Sequence, residues 1–256
     1  MLVFIAVQGA PALSWEFLSA FPRRGMTEGG IFPALVGTVY LVLGTVLIAM
    51  PLGIGAAVYL SEYTHHRTWI RLVRIGVNNL AAVPSIVFGL FGLAFFVKGL
   101  GLGVSLLAGA LTLALLVLPL VIRSTEEALA AVPQEFREGA LALGATRWQS
   151  VRTLVLPAAV PGIVTGAILS VGRAAGETAP IMFTAAAFYT PRLPSSPLDE
   201  VMALPYHLYV MATESTAFWR TRDLQYGTAL VLLSLVLILY LWAAVWRARI
   251  RRKKRW

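Results

Sequence analysis

Two ionisable side chains interrupt one of the most apolar stretches of the chain. Arg173 and Glu177 stand four residues apart in Gly172-Arg173-Ala174-Ala175-Gly176-Glu177-Thr178-Ala179-Pro180. The flanking cations Arg152 and Arg192 lie 21 and 19 residues away, on the order of 30 Å along a helix, too far for either end to bring Arg173 to water. Each charge placed in mid-membrane costs about 2.5–3.5 kcal/mol, so it needs a partner or a wet cavity. The guanidinium is a planar fork that matches the oxygens of an oxyanion. A carboxylate beside it can hold that fork in place, or accept a hydrogen bond from an oxyanion that still carries a proton, as phosphate does near neutrality and sulfate does not. Thr178, and Ser85 just after Pro84 in another apolar stretch, add hydroxyls that could line the same path. The competing reading is structural, a salt bridge that makes the helix tolerable in lipid, although Arg before Glu is the weaker order for an i,i+4 pair.

A second cluster lies in the connection 123–153. Gln134 to Leu143 is helix-forming and stops at Gly144, a residue suited to the left-handed position after a helix. Thr146 with Gln149 then has capping-box spacing and opens a further helix running toward Leu156 and Pro157. The expectation is a helix-turn-helix outside the membrane, either a solvated connection or a docking surface.

Both clusters must be held by membrane helices. The chain has 256 residues, 58% hydrophobic and 13% charged, against about 25% charged in a soluble domain. Five segments are long and apolar enough to span: 32–60, 77–97, 103–122, 158–189 and 224–246. Met1 to Leu13 is too short and reads as the far end of a longer span whose start is missing. Of the 21 Lys and Arg, fourteen fall on one face. They are Arg67, Arg71, Arg74, Arg123, Arg137, Arg147, Arg152 and the seven of the tail from Arg247 to Arg255. The positive-inside rule makes that face, with the loops 61–75 and 123–153 and the C-terminus, cytoplasmic. Segments 14–31, 98–102 and 190–223 then face outward. The net charge of +9 is thereby a membrane-surface feature and not a nucleic-acid patch. There is no cysteine, which excludes disulfides and thiolate sites. His65, His66 and His207 lack metal-ligand spacing, so no metal is assigned. The pairs Gly162/Gly166 and Gly172/Gly176 suit close helix packing, and Leu204 to Met211 is apolar enough to lie at the interface.

The residues also carry a family resemblance. Glu138-Gly139-Ala140, then Gly144, then Leu154-Val155-Leu156-Pro157 resemble the EAA loop of ABC importer permeases. Arg173 through Pro180 resembles the signature of the A-type permeases of bacterial phosphate (Pst) importers. Pro51-Leu-Gly-Ile-Gly-Ala-Ala-Val-Tyr-Leu-Ser-Glu62, Val83-Pro-Ser-Ile-Val-Phe-Gly-Leu-Phe-Gly92 and Pro11-Ala-Leu-Ser-Trp-Glu16 extend the likeness over essentially the whole chain. The resemblance implies an all-α polytopic bundle with a type I ABC importer permease core, five complete spans plus a truncated N-terminal one, as a single permease domain over 1–256 (core about 32–246, coupling loop 123–153, basic tail 247–256). It implies substrate translocation past Arg173, Glu177, Thr178 and Ser85, and coupling to an ATPase through Glu138, Ala140 and Gly144, with no catalytic residue and no cofactor. The implied partners are a C-type permease forming a heterodimer, two cytoplasmic ATPase subunits, an external phosphate-binding protein and the lipid bilayer, with no nucleic acid. The chain has no G-x-x-x-x-G-K-[ST] loop of its own for ATP. The alternatives are a permease for sulfate, molybdate or a phosphonate, an intramembrane enzyme, which the missing HExxH and GxSxG motifs disfavour, and a channel acting alone, which needs no docking loop.

Overall fold

The computed structural model describes residues 2–64, 67–190, 192–214 and 218–253. His65, His66 and the end of the basic tail lie outside them. The described chain is about 80% helical. In order come α1 (Leu2–Gly9), α2 (Trp15–Ser19), a two-stranded ribbon of β1 (Pro22–Arg23) and β2 (Glu28–Gly29), α3 (Phe32–Val58), α4 (Arg67–Ala82), α5 (Ser85–Gly92) and α6 (Leu106–Ala130). They are followed by α7 (Gln134–Ala142), α8 (Arg147–Ser150), α9 (Leu156–Gly176), α10 (Ala179–Thr184), α11 (Leu204–Thr213) and α12 (Phe218–Lys253). Wider π-helical turns extend three of these helices, at Tyr59–Tyr63, Leu93–Gly99 and Val151–Val155. The strands are antiparallel, Pro22 opposite Gly29 and Arg23 opposite Glu28.

Among the described residues, four helical runs are long and apolar enough to cross a membrane: Phe32–Tyr63, Leu106–Ala130, Arg147–Gly176 and Thr221–Arg249. Two of the five expected spans are broken. The stretch 77–97 is not one helix, because Thr68–Ala82 and Ser85–Gly99 meet at a bend of 100°. Pro84 has no N–H to donate and disfavours helix at Val83, and its own backbone is extended, with φ −58° and ψ 140°. The loop expected over 61–75 is mostly the start of α4. Arg74 Nη2 of that helix bonds Glu126 Oε1 of α6 at 3.0 Å, and Arg123 donates to Asn78. The stretch 158–189 is also interrupted, since α9 ends at Gly176 and α10 begins at Ala179.

The chain packs as two compact units, residues 1–45, 84–114 and 172–238 in the first and 46–83, 115–171 and 239–256 in the second. In the first, Phe17, Ile31, Ala34, Met202, Leu204, Val210, Met211 and Val231 form one core cluster. Leu41, Leu113, Ile181, Ala185 and Val201 form another. The segment from Leu204 to Met211 is therefore core and not interfacial, its buried face set by Leu204, Val210 and Met211. The N-terminal amides of α6 are satisfied from the segment before α11. Leu106 and Leu107 donate to the carbonyls of Asp199 and Pro197, both at 2.8 Å, and Ala108 donates to Ser105 Oγ at 3.2 Å. In the second unit the core is Val58, Leu129, Val132, Val151, Val155 and Ile163. There the Gly162/Gly166 pair does pack closely, since a Cβ on Gly162 would stand 2.5 Å from Ala128 Cβ and one on Gly166 would meet Ser124. Gly176 differs, with open space where its Cβ would be.

His207 is 3% exposed and its Nδ1 has no hydrogen-bond partner among the described residues. The space beside it is about 10 Å³, at the limit of one water. Burial holds its pKa down at about 4, from an ordinary 6.5. Between those values the unfolded chain binds a proton that the folded one refuses. Stability is therefore complete above the unfolded pKa and falls as pH drops toward 4, by about 3 kcal/mol. Thermal unfolding of the detergent-solubilised protein should show this loss between pH 7 and 4.5, and His207→Gln should flatten it. An equal slope in the variant would remove His207 as the cause.

Candidate functional site

The first candidate site forms where α9 stops. Arg173 lies in the last turn of α9, the favourable end of the helix dipole for a cation. Glu177 is the first residue beyond that helix, and Thr178 holds the N-cap position of α10 without a capping hydrogen bond from its side chain. The pair is therefore not two positions on one continuous helix, which removes the unfavourable Arg-before-Glu order expected from the sequence. Arg173 Nε stands 3.5 Å from Glu177 Oε1, with the side chains 37% and 17% exposed. That is an ion pair looser than a charge-assisted hydrogen bond, which runs to about 2.9 Å. The guanidinium makes no other ion pair or hydrogen bond among the described residues, so its Nη groups remain available.

Ser85 opens α5, which packs along α10. A Cβ on Gly89 would touch the Ala179 carbonyl and Pro180 Cα, and one on Gly92 would touch Thr184. Ser85 itself lies one turn before Gly89 on α5. Thr178 adjoins Glu177 in sequence, and neither the Ser85 nor the Thr178 side chain hydrogen-bonds Arg173 or Glu177 among the described residues. Both hydroxyl residues are half-buried. The breaks that make this arrangement, at Pro84 and at Glu177–Thr178, put irregular backbone inside apolar segments. Such backbone is tolerated at membrane depth only against protein or a wet cavity.

The second candidate site is the helix-turn-helix of α7 and α8. Gly144 has φ +82°. Ala145 N donates to the Ala140 carbonyl at 3.1 Å and Gly144 N to Leu141 at 3.0 Å, the paired bonds of a Schellman motif. Thr146 Oγ1 accepts from Gln149 N at 3.2 Å and Gln149 Oε1 accepts from Thr146 N at 2.7 Å, completing the expected capping box. The second helix does not stop at Leu156 but continues through Val151–Val155 into α9. Glu138 and Gly144 are exposed and Ala140 is buried. Of the three residues assigned to docking, Ala140 instead packs into its own unit. Phe136, Leu143 and Trp148 stand exposed beside Glu138, Leu143 at 91%.

Sequence reasoning missed Arg137 and Glu62. Arg137 Nη2 donates to Glu62 Oε1 at 2.9 Å and to the Leu129 carbonyl at 2.8 Å, and Nη1 donates to the Val132 carbonyl at 2.7 Å. A groove of about 660 Å³ lined by Ser61, Glu62, Arg74, Glu126, Arg137 and Glu138 runs past this contact. The signal was present in the sequence, since Arg137 adjoins Glu138 and Glu62 closes the Pro51–Glu62 stretch, but nothing in the linear spacing pairs two residues 75 apart.

Residues 49–255 match the family described as binding-protein-dependent transport system inner membrane component. Among curated proteins, the probable ABC transporter permease protein YqgI of Bacillus subtilis (strain 168) is 40% identical over 190 residues, covering 74% of this chain and 64% of YqgI. The chain thus spans just under two-thirds of the length of that relative. The phosphate transport system permease protein PstA of Xylella fastidiosa (strain Temecula1) is 34% identical over 247 residues, covering 96% of this chain and 84% of PstA. Among solved structures, a bacterial ABC transporter involved in the import of the acidic polysaccharide alginate matches with a TM-score of 0.71 at 15% identity, over 97% of this chain and 89% of that one. The helical fold with two broken segments is thus that of an all-α membrane permease, with the core fold of type I ABC importer permeases. The chain belongs to the family of binding-protein-dependent transport system inner membrane components, multi-pass proteins of the inner membrane.

At φ +82° any side chain at position 144 is strained, by about 1 kcal/mol for Ala. Gly144→Ala should therefore speed amide exchange in Gln134–Ala142 about fivefold in hydrogen–deuterium exchange. Unchanged protection would mean that the turn does not hold α7.

Proposed function

We propose that the chain is one of two permease subunits of an ATP-driven phosphate importer, forming a single permease domain with its C-terminus in the cytoplasm. The observation that carries this reading is the Arg173–Glu177 pair at a helix break. It presents a guanidinium whose partner stands 3.5 Å away, in a segment where an unneutralised charge is costly. The relatives named as phosphate permeases support the choice of anion. An external binding protein delivers phosphate to the outward-open pore that this chain forms with a C-type permease. Arg173 neutralises the anion as its water is stripped, while Glu177 orients Arg173 and accepts a hydrogen bond from the protonated phosphate oxygen. Thr178, at the break, and Ser85, at the start of α5, offer hydroxyls to the same anion.

ATP hydrolysis belongs to two cytoplasmic ATPase subunits. Their closure reaches the spans through the loop carrying Glu138 and Gly144, with Ala140 as the packing residue beneath it. The exposed Phe136, Leu143 and Trp148 give this loop the apolar surface that a docked partner covers. The basic tail, of which Arg247 donates to Thr165 Oγ1 at 2.9 Å, meets anionic headgroups at the cytoplasmic face.

The test is radiolabelled phosphate uptake in cells lacking their own A-type subunit, complemented with this chain or with variants, while unlabelled sulfate or molybdate competes. The unaltered chain should restore uptake that neither competitor reduces. Arg173→Ala should insert normally and lower uptake at least a hundredfold, whereas Glu177→Gln should weaken discrimination against sulfate. Restored uptake that is equally blocked by sulfate would make the substrate a general oxyanion. Full activity of Arg173→Ala would return the pair to a structural role.

A further inference from the structure

We infer that Arg137 and Glu62 form the joint through which the α7 loop moves two membrane helices together. This rests on the proposed coupling role of that loop and goes beyond it by assigning its attachment. Arg137 spends its guanidinium on three partners from two elements. Nε and Nη2 face the Glu62 carboxylate, at 3.2 and 2.9 Å to Oε1. Nη2 also reaches the Leu129 carbonyl at 2.8 Å, and Nη1 the Val132 carbonyl at 2.7 Å. Glu62 belongs to the π-helical turn that extends α3, and Leu129 lies in the last turn of α6, with Val132 just beyond it. A single side chain of α7 is therefore fastened to the ends of two spans.

The joint is sheltered. The Arg137 and Glu62 side chains are 19% and 11% exposed. The backbone of Glu62 is held a second time, its carbonyl accepting from Arg147 Nη1 at 3.2 Å, so both arms of the helix-turn-helix grip the same turn. Beneath it, Val58, Leu129, Val132, Val151 and Val155 are packed as one cluster, with Tyr63 against them. Close-packed interiors transmit displacement without absorbing it. The choice of Arg also has a reason. The two carbonyls and the carboxylate lie in different directions, and only a planar five-donor fork serves all three, while a Lys ammonium offers one compact charge. Arg137 is a positioning residue, since it acts through the helices it holds.

The experiment uses the complete complex in proteoliposomes, with both permeases, the ATPases and the complex's own binding protein, and reads phosphate uptake and ATP hydrolysis side by side. Arg137→Ala and Glu62→Gln should still co-purify with the ATPases and hydrolyse ATP within about twofold of the unaltered complex, while phosphate moved per ATP falls at least tenfold. Arg137→Lys should fall between. Uptake and hydrolysis that decline in step, or a transport ratio that does not change, would overturn the joint. If Arg137→Ala does not assemble, Glu62→Gln decides by the same ratio, because it removes the charge and keeps the shape. Should the unaltered complex move no phosphate, the substrate reading fails on its own. The joint is then judged by stimulation of hydrolysis by the binding protein, a signal that crosses the same contact in reverse. Arg137→Ala should abolish that stimulation and leave basal hydrolysis, and retained stimulation would refute it.

Discussion

Hydrocarbon offers no hydrogen bonds, and the rest of this structure follows from where the chain obeys that constraint and where it departs from it. Most of the chain obeys it with unbroken helix, and several buried hydroxyls are satisfied locally, although Thr125 Oγ1 and Ser150 Oγ find no partner among the described residues. Thr38 donates to Ala34, Thr45 to Leu41, Thr112 to Ala108, Ser170 to Gly166 and Thr184 to Pro180, each one turn back on its own helix. The departures are concentrated at Pro84 and at Glu177–Thr178. These do not lie apart, because α5 and α10, which follow the two breaks, pack against each other so closely that Gly89 and Gly92 have no room for a side chain. Two broken segments side by side can cover one another's irregular backbone with protein. A single break facing lipid could not.

The same constraint acts on charge, and two arginines meet it in opposite ways. Arg137 directs four of its five donors to a carboxylate and two carbonyls at 2.7–3.2 Å, which leaves a single Nη1 N–H unused. Arg173 has one anionic neighbour at 3.5 Å and more than a third of its side chain exposed. A guanidinium whose bonds are nearly all made is a fastener, since breaking any of them leaves a sheltered group unpaired. One whose bonds are partly made has unspent capacity, and its most favourable state is reached when something else arrives. On the proposed reading that something is phosphate, and Glu177 is placed to hold the fork without saturating it.

Much of the candidate site was legible in the sequence because it is written in local spacing. The capping box needs only Thr146 and Gln149, and the Schellman turn only Gly144, so both were readable and both are present. The coarse spans were readable from apolar run length. What run length cannot register is a helix break. Ala81 to Phe88 is apolar throughout but for Ser85, and only Pro84 marks the 100° bend. At Glu177–Thr178 the proline that helps start α10, Pro180, sits four residues past the end of α9 at Gly176. Tertiary placement was less legible still. Leu204 to Met211 has the composition of an interfacial helix, and its burial depends on Phe17, Ile31 and Val231 from distant parts of the chain. Arg137 and Glu62 are unremarkable in sequence and become a pair only when α3 and α6 are packed.

The two faces of α7 explain why so short a helix can carry a load. Phe136 and Leu143 are seven residues apart and so share one face, and both are exposed. Arg137 and Ala140 are three apart and share another, which is turned inward, Ala140 buried and Arg137 tied to the spans. A helix of nine residues has little stability of its own in water, so it stays formed only because its inward face is anchored and its end is locked at Gly144. A partner docked on the outward face would then push on a body that cannot unwind or slide. Had Ala140 been larger, α7 would be lifted from its seat. Had Arg137 been absent, the seat would remain but the attachment to Glu62 would not. On the proposed reading, docking and fastening are separate jobs on separate faces of α7.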